Sequence, residues 1–260
     1  MTLEFTDTHC HLNHENFDAD REEARGRATA AGVTRLLCIG FDRASSRSAV
    51  ALTGSEGIYA TVGIHPESAE EWDEETAEEM AALYHGGAGR VAAYGEIGLD
   101  YHWDTTSRPR QQEVFAAQIV LARGLAPTLP LIIHNRDAQE DIFAILRASG
   151  TSAPVVMHCF TGDTEAARAC LDAGCYLGIG GVATFKKSEA VRAAIAYAPL
   201  ERLLLETDCP YLAPQFKRGR RNEPAYLPAI AETVAAAKGL TLEEVAAATT
   251  ATARALFGMA

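Results

Sequence analysis

The side chains able to do chemistry concentrate in a few short stretches, and the most compact of them is Asp7-Thr-His-Cys-His11. Leu3, Phe5, Asp7, His9 and His11 share one parity, so on a strand all five face the same way. The two imidazoles then stand roughly 7 Å apart along the strand, near enough to converge on one ion at about 2.0–2.1 Å. An isolated His-x-His also suits a polar strand end whose rings only hydrogen-bond to neighbours. The remaining metal-type residues decide between the two. His65, Glu96, His134 and His158 end apolar runs, and Asp208 follows another, so five of the eight histidines fall at the ends of such runs.

The elements that must carry these residues alternate. Apolar runs predict strands over Leu3–His11, Arg35–Phe41, Ile58–His65, Val91–Glu96, Leu131–His134, Val155–His158, Tyr176–Ile179 and Leu203–Thr207. Helical patterns fall at Asp18–Ala31, Glu67–His85, Arg110–Arg123, Ala138–Ala148, Thr164–Ala173 and Ser188–Ala198. The tail adds a helix from about Ala225 and another opened by the capping-box sequence Thr241-Leu-Glu-Glu244. Strands rich in Leu, Ile and Val with helices between them predict a parallel sheet covered by helices, either doubly wound or closed as a (β/α)₈ TIM barrel. In a closed barrel the carboxyl ends of all strands form one ring, where barrel active sites are built. In an open sheet the first and last strands are too far apart to share an ion. The α/β class is therefore expected in its closed form, with residues 1–260 as a single domain.

Composition is consistent with this. The chain has 260 residues, 48% hydrophobic and 22% charged, enough for a sizeable core. No basic region followed by an apolar core opens it, and no long uncharged apolar window follows, so neither a signal peptide nor a transmembrane helix is expected. The six cysteines include no Cys-x-x-Cys pair, and Cys10, Cys38, Cys159 and Cys209 fall in or beside strands. Packing thiols in a reducing cytoplasm are expected, not a disulfide framework or a thiolate zinc site. A formal net charge of −12 argues against a protein that coats nucleic acid through its general field.

Seven motifs in order, Asp7-Thr-His-Cys-His-Leu, Val62-Gly-Ile-His-Pro, Gly95-Glu-Ile-Gly-Leu-Asp-Tyr, Ile133-His-Asn-Arg-Asp-Ala, Met157-His-Cys-Phe-Thr-Gly, Leu205-Glu-Thr-Asp-Cys-Pro-Tyr and Arg218-Gly-Arg-Arg-Asn-Glu-Pro, resemble the TatD family of metal-dependent hydrolases. The resemblance implies a barrel of the amidohydrolase superfamily with two divalent ions. It places His9, His11 and Asp208 on one ion and His134 and His158 on the other, with Glu96 bridging. Four imidazoles and two carboxylates suit zinc, manganese or magnesium, with nitrogen donors favouring the first two. Asp208 is expected to be the general base and Glu96 its catalytic companion. No lysine stands near Glu96, so no modified lysine is expected to bridge the metals. At position 13 this chain has Asn13 where the family commonly has aspartate.

The resemblance further implies a deoxyribonuclease, a 3'-5' exonuclease on ends of single-stranded DNA. Hydrolysis of an ester or amide, including removal of a wrongly attached amino acid from transfer RNA as a D-aminoacyl-tRNA deacylase would perform, uses the same metal chemistry. No membrane contact and no obligate protein partner are expected. His65 suits either substrate contact or a structural hydrogen bond, and Arg136 either a phosphate clamp or a plain salt bridge. His14, His85 and His102 receive no role. Lys217-Arg-Gly-Arg-Arg221 is expected to form a basic lip, with Arg218, Arg220 and Arg221 facing substrate.

Overall fold

Leu131-Ile-Ile and Leu203-Leu-Leu show no alternation of polarity, and a strand apolar on both sides must be covered on both. A computed structural model describes residues 3–103 and 105–260 and shows that outcome. Its strands are β1 (Phe5–Cys10), β2 (Val33–Cys38), β3 (Ile58–Val62), β4 (Val91–Asp100), β5 (Leu131–Arg136), β6 (Val155–Met157), β7 (Tyr176–Ile179) and β8 (Leu203–Leu205). Every residue of β1, β3, β4 and β8 is buried. The strands run in chain order through one parallel sheet, and β1 meets β8 through His11 N–H to Cys209 C=O and Asp208 N–H to His9 C=O, each 2.8 Å. The fold is the expected (β/α)₈ barrel.

The helices are α1 (Arg21–Ala30), α2 (Arg43–Leu52), α3 (Glu74–Gly86), α4 (Arg108–Leu125), α5 (Gln139–Ser149), α6 (Thr164–Asp172), α7 (Glu189–Tyr197), α8 (Leu227–Lys238) and α9 (Leu242–Phe257). The capping box expected at Thr241 and Glu244 opens α9. Helix α2 is an addition to the sequence reading. Its polar Arg-Ala-Ser-Ser-Arg-Ser start hides the apolar stripe, and its start is fixed by a reciprocal cap between Asp42 and Ser45. Strand β4 also runs on past Glu96 to Asp100. Among the described residues no helix is long and apolar enough to cross a membrane.

Two compact units emerge. One joins the N-terminal segment up to Cys38 with Cys159–Ala260 and holds β1, β2, β7 and β8. The other is the continuous stretch Ile39–His158, with β3 to β6. In this second unit two glycines let β4 press on β5. At Gly95, with φ of 147°, a Cβ would come within 2.6 Å of the Ile132 carbonyl oxygen, and at Gly98, with φ of 144°, it would collide with that of His134. All six cysteines are free thiols.

Candidate metal centre

In the first unit, Phe5-Thr-Asp-Thr-His-Cys forms β1, and its carboxyl end delivers His9 and His11. Asp208 arrives just past β8 with φ of 56°, a left-handed turn that aspartate tolerates better than most residues. Its Oδ1 lies 3.6 Å from His9 Nε2 and 3.3 Å from His11 Nε2, and all three side chains are buried. Donors held about 2.1 Å from a shared tetrahedral ion lie roughly 3.4 Å from one another. The three ligand atoms, all within 4.8 Å of each other, therefore fit a divalent cation in spacing as well as in chemistry.

This group is propped through its backbone. Asp7 accepts hydrogen bonds from Thr207 Oγ1 at 2.6 Å and from Thr207 N–H at 2.9 Å, so β1 is tied to the residue before Asp208. Burial pushes the Asp7 carboxyl up to about 8, against the opposing pull of the Thr207 bonds. Cys10 Sγ lies 4.0 Å from Cys38 Sγ, within the core as packing. Glu206, passed over in the sequence, is fully buried and accepts the Cys159 N–H at 2.5 Å in space left by the missing side chain of Gly178.

In the second unit, three rings surround Glu96 on β4. Its Oε1 lies 2.8 Å from His158 Nε2, 3.0 Å from His134 Nδ1 and 3.6 Å from His65 Nε2. Glu96, His65 and His134 bring one ligand-type atom each within 4.8 Å of one another, and His158 reaches the same Glu96 oxygen. His65 makes the structural hydrogen bond that was one of its two expected roles: its Nδ1 accepts the Glu67 N–H at 3.2 Å, while its Nε2 faces Glu96. Burial, and then the neighbouring His134, pull the His65 ring down to about 3, so it is neutral. With Nδ1 acting as acceptor, the proton sits on Nε2.

Asp100 is the residue of this cluster that the sequence reading missed. Its Oδ2 lies 2.9 Å from His134 Nε2, and its Oδ1 accepts the N–H groups of His102 at 2.9 Å and Trp103 at 3.2 Å. Burial works to raise this carboxyl, but the His134 bond and those N–H groups hold it at about 2. Burial likewise opposes charge on His134, yet its bonds to Asp100 and Glu96 prevail and lift it above the ordinary imidazole value. A carboxylate on the far nitrogen of a ligating histidine fixes which nitrogen faces the ion. The available signal was parity, since Glu96, Gly98 and Asp100 face one way on a single strand.

The other expected contacts fall into two groups. Arg136 is exposed and lies 5.5 Å from the Trp103 ring, and among the described residues no carboxylate pairs with it. Arg218 and Arg220 are also exposed. Arg221 has partners within the protein: its two terminal nitrogens bond Asp20 at 2.7 Å each, and one also bonds the Asn16 carbonyl. Beside it Arg27 joins Asp20 to Glu223, so Arg221 belongs to an ion-pair network that fastens α1. His14 caps a short turn, and His102 packs edge-on against Trp103.

Comparison with known proteins places this architecture. The family model of TatD-related DNases matches residues 6–258. The metal-dependent hydrolase YabD of Bacillus subtilis is 45% identical over 253 residues, covering 96% of this chain and 98% of that protein. The 3'-5' ssDNA/RNA exonuclease TatD of Cronobacter sakazakii is 39% identical over 235 residues, 88% of each chain. Among solved structures, a TatD homologue from Escherichia coli K12 superposes with a TM-score of 0.93 at 29% identity, covering both chains completely. An organophosphorus hydrolase, at 16% identity and a TM-score of 0.67 over 99% of this chain and 93% of its own, shares the barrel fold.

Proposed function

The chain belongs to the TatD-related family of metal-dependent hydrolases, and from that premise we propose that it is a deoxyribonuclease removing nucleotides 3'-5' from ends of single-stranded DNA with two divalent ions. The observation that carries the metal chemistry is the Asp208 carboxylate placed between the Nε2 atoms of His9 and His11 at ion-sharing distances. The choice of substrate is supported by the relative named as an ssDNA/RNA exonuclease.

His9, His11 and Asp208 would hold one ion, and Glu96, His134 and His158 would serve the other. Bound divalent ions supply Lewis acidity toward water and toward a phosphoryl oxygen. The protein's own groups supply the proton chemistry. Asp208 keeps one oxygen between two imidazoles, which leaves the second to accept a proton from the attacking water. His65, neutral and protonated on Nε2, is a hydrogen-bond donor for a phosphate oxygen, while Asp100 keeps His134 turned toward Glu96. Zinc, manganese and magnesium are the ions to be compared.

The deciding experiment incubates the protein, loaded with each metal in turn, with end-labelled single-stranded DNA beside a mischarged transfer RNA. Stepwise shortening of the DNA from its 3' end, lost in Asp208→Asn, is the expected result. Deacylation of the transfer RNA with intact DNA would replace this reading by ester hydrolysis.

A further inference from the structure

We propose that the loop from Tyr211 to Asn222 is a platform for unstacked bases, with Phe216 as the stacking face and Lys217, Arg218 and Arg220 as the phosphate contacts. This rests on the nucleic-acid reading above and adds to it the reason for preferring a single strand.

The loop is a built structure fastened beside Asp208. At its start the Tyr211 N–H bonds the Asp208 carbonyl at 3.0 Å. At its end Asn222, fully buried, donates Nδ2–H to the carbonyls of Thr207 and Tyr211 at 2.7 Å each and its N–H to that of Pro210 at 3.0 Å. Midway, Gln215 N–H bonds Thr184 Oγ1 at 2.7 Å. Both ends therefore converge on the residues flanking a proposed ligand, and Tyr211 itself lies edge-on to His11 at 5.7 Å.

On this frame stands Phe216, 60% exposed. Leaving so large an apolar ring in water forgoes the stabilisation that burying such a side chain contributes. Tyr226 touches it at 5.3 Å with the ring planes 72° apart, and among the described residues no ring lies flat on it. Around it lies an open groove of about 670 Å³ that the cations line. Arg221 is held by Asp20, and the Glu223 carboxylate is bonded to Arg27 at 2.6 Å. Among the described residues no carboxylate pairs with Lys217, Arg218 or Arg220, in a chain whose net charge is −12. Lys217 sits between the rings of Tyr226 at 5.4 Å and Phe216 at 5.8 Å, and Arg218 lies over Phe185 at 4.8 Å, so aromatic faces fix these cations in place and leave the other side of Phe216 for a base.

Three cations without acidic partners around one largely exposed aromatic ring match a flexible polyanion whose units carry flat rings, which describes single-stranded nucleic acid. An acidic peptide could satisfy the cations but not the ring. A duplex has its bases already stacked and offers the ring nothing.

The test is fluorescence anisotropy with the full-length protein and an end-labelled, hydrolysis-resistant phosphorothioate strand of about ten nucleotides, a length within the range of single-strand sites. Phe216→Ala should weaken binding about tenfold, and Phe216→Trp should restore it. A strand with abasic sugars should bind the wild type about tenfold less well and Phe216→Ala no worse than that. Removing the three cations together should lower the salt slope by about 2, at roughly 0.7 per charge on a single strand. Unchanged affinity in Phe216→Ala, Phe216-dependent binding of a blunt duplex, or displacement of the strand by polyglutamate at equal charge concentration would overturn the platform. Hydrolysis of an unmodified strand is followed in parallel. If hydrolysis proceeds while Phe216→Ala binds normally, the platform alone falls. If Phe216-dependent binding persists without hydrolysis, the nuclease reading alone falls.

Discussion

His9, His11 and Asp208 reach one another through the main chain: two strand ends are laced together by N–H to C=O bonds, and the supporting acid, Asp7, grips the backbone and hydroxyl of Thr207. Glu96, His134, His158 and His65 meet through side chains, and the supporting acid, Asp100, grips an imidazole directly. The first arrangement fixes where its donors stand, whereas the second also fixes which nitrogen His134 and His65 present. A neutral buried acid suffices for holding backbone. Orienting an imidazole takes an ionised one, and this matches the opposite directions in which Asp7 and Asp100 are pushed.

The largest effect that sharpens this contrast comes from the carboxylates at the centre of each cluster. Glu96→Gln and Asp208→Asn should each lower turnover roughly a thousandfold or more, about 4 kcal/mol of transition-state stabilisation, with circular dichroism unchanged. If either variant kept wild-type turnover, its cluster would not be part of the catalytic machinery.

Metal content separates the clusters next. Replacing His9 and His11 by alanine, or in a second protein His134 and His158, should each remove about half of the metal measured by elemental analysis. Chelation should abolish activity until metal is returned. It should also lower the thermal transition, because an ion at about 100 times its dissociation constant contributes about 2.7 kcal/mol. Loss of all metal from either double variant would show that the clusters are not independent.

The supporting acids give the smaller effects. Asp100→Asn should cost about 10–100-fold in metal affinity or activity, the usual loss when a carboxylate behind a ligating imidazole is removed. Asp7→Asn should change activity least, since at neutral pH the buried carboxyl is already protonated and an amide has its shape. Its signature lies in stability against pH. A folded-state value of about 8 against an ordinary 3.8 means that Asp7 binds its proton more tightly when folded. Its contribution is complete below about pH 4 and is lost as pH rises toward 8, at up to about 1.4 kcal/mol per pH unit. Urea titrations between those limits should show this decline in the wild type and a flatter profile in Asp7→Asn. Equal slopes would refute a neutral Asp7.

What could be read in the sequence follows the same division. Asp7-Thr-His-Cys-His is contiguous, so strand parity alone brought its imidazoles together, and the ring of strand-end ligands pointed to closure of the barrel. Asp100 escaped because β4 was ended at Glu96: Gly98 looks like a strand breaker, yet it is what lets the strand continue against His134. Helix α2 escaped because its short, serine-rich opening masks the apolar stripe that follows, although the cap between Asp42 and Ser45 marks its start. The pairing of Arg221 was not legible because its partner Asp20 lies 201 residues away in sequence, and nothing local distinguishes a paired arginine from an open one.

The lacing of β1 to β8 also sets a timetable. Asp208 is made 199 residues after His9, which at about 5–20 residues per second is a delay of about 10 to 40 s on the ribosome. Through that interval β1 has no β8 to meet, and the continuous stretch Ile39–His158 is complete 50 residues before Asp208 is added. In each newly made molecule the residues of the Glu96 cluster are therefore all present before Asp208 is, and His9 and His11, synthesised earliest, wait longest for their carboxylate.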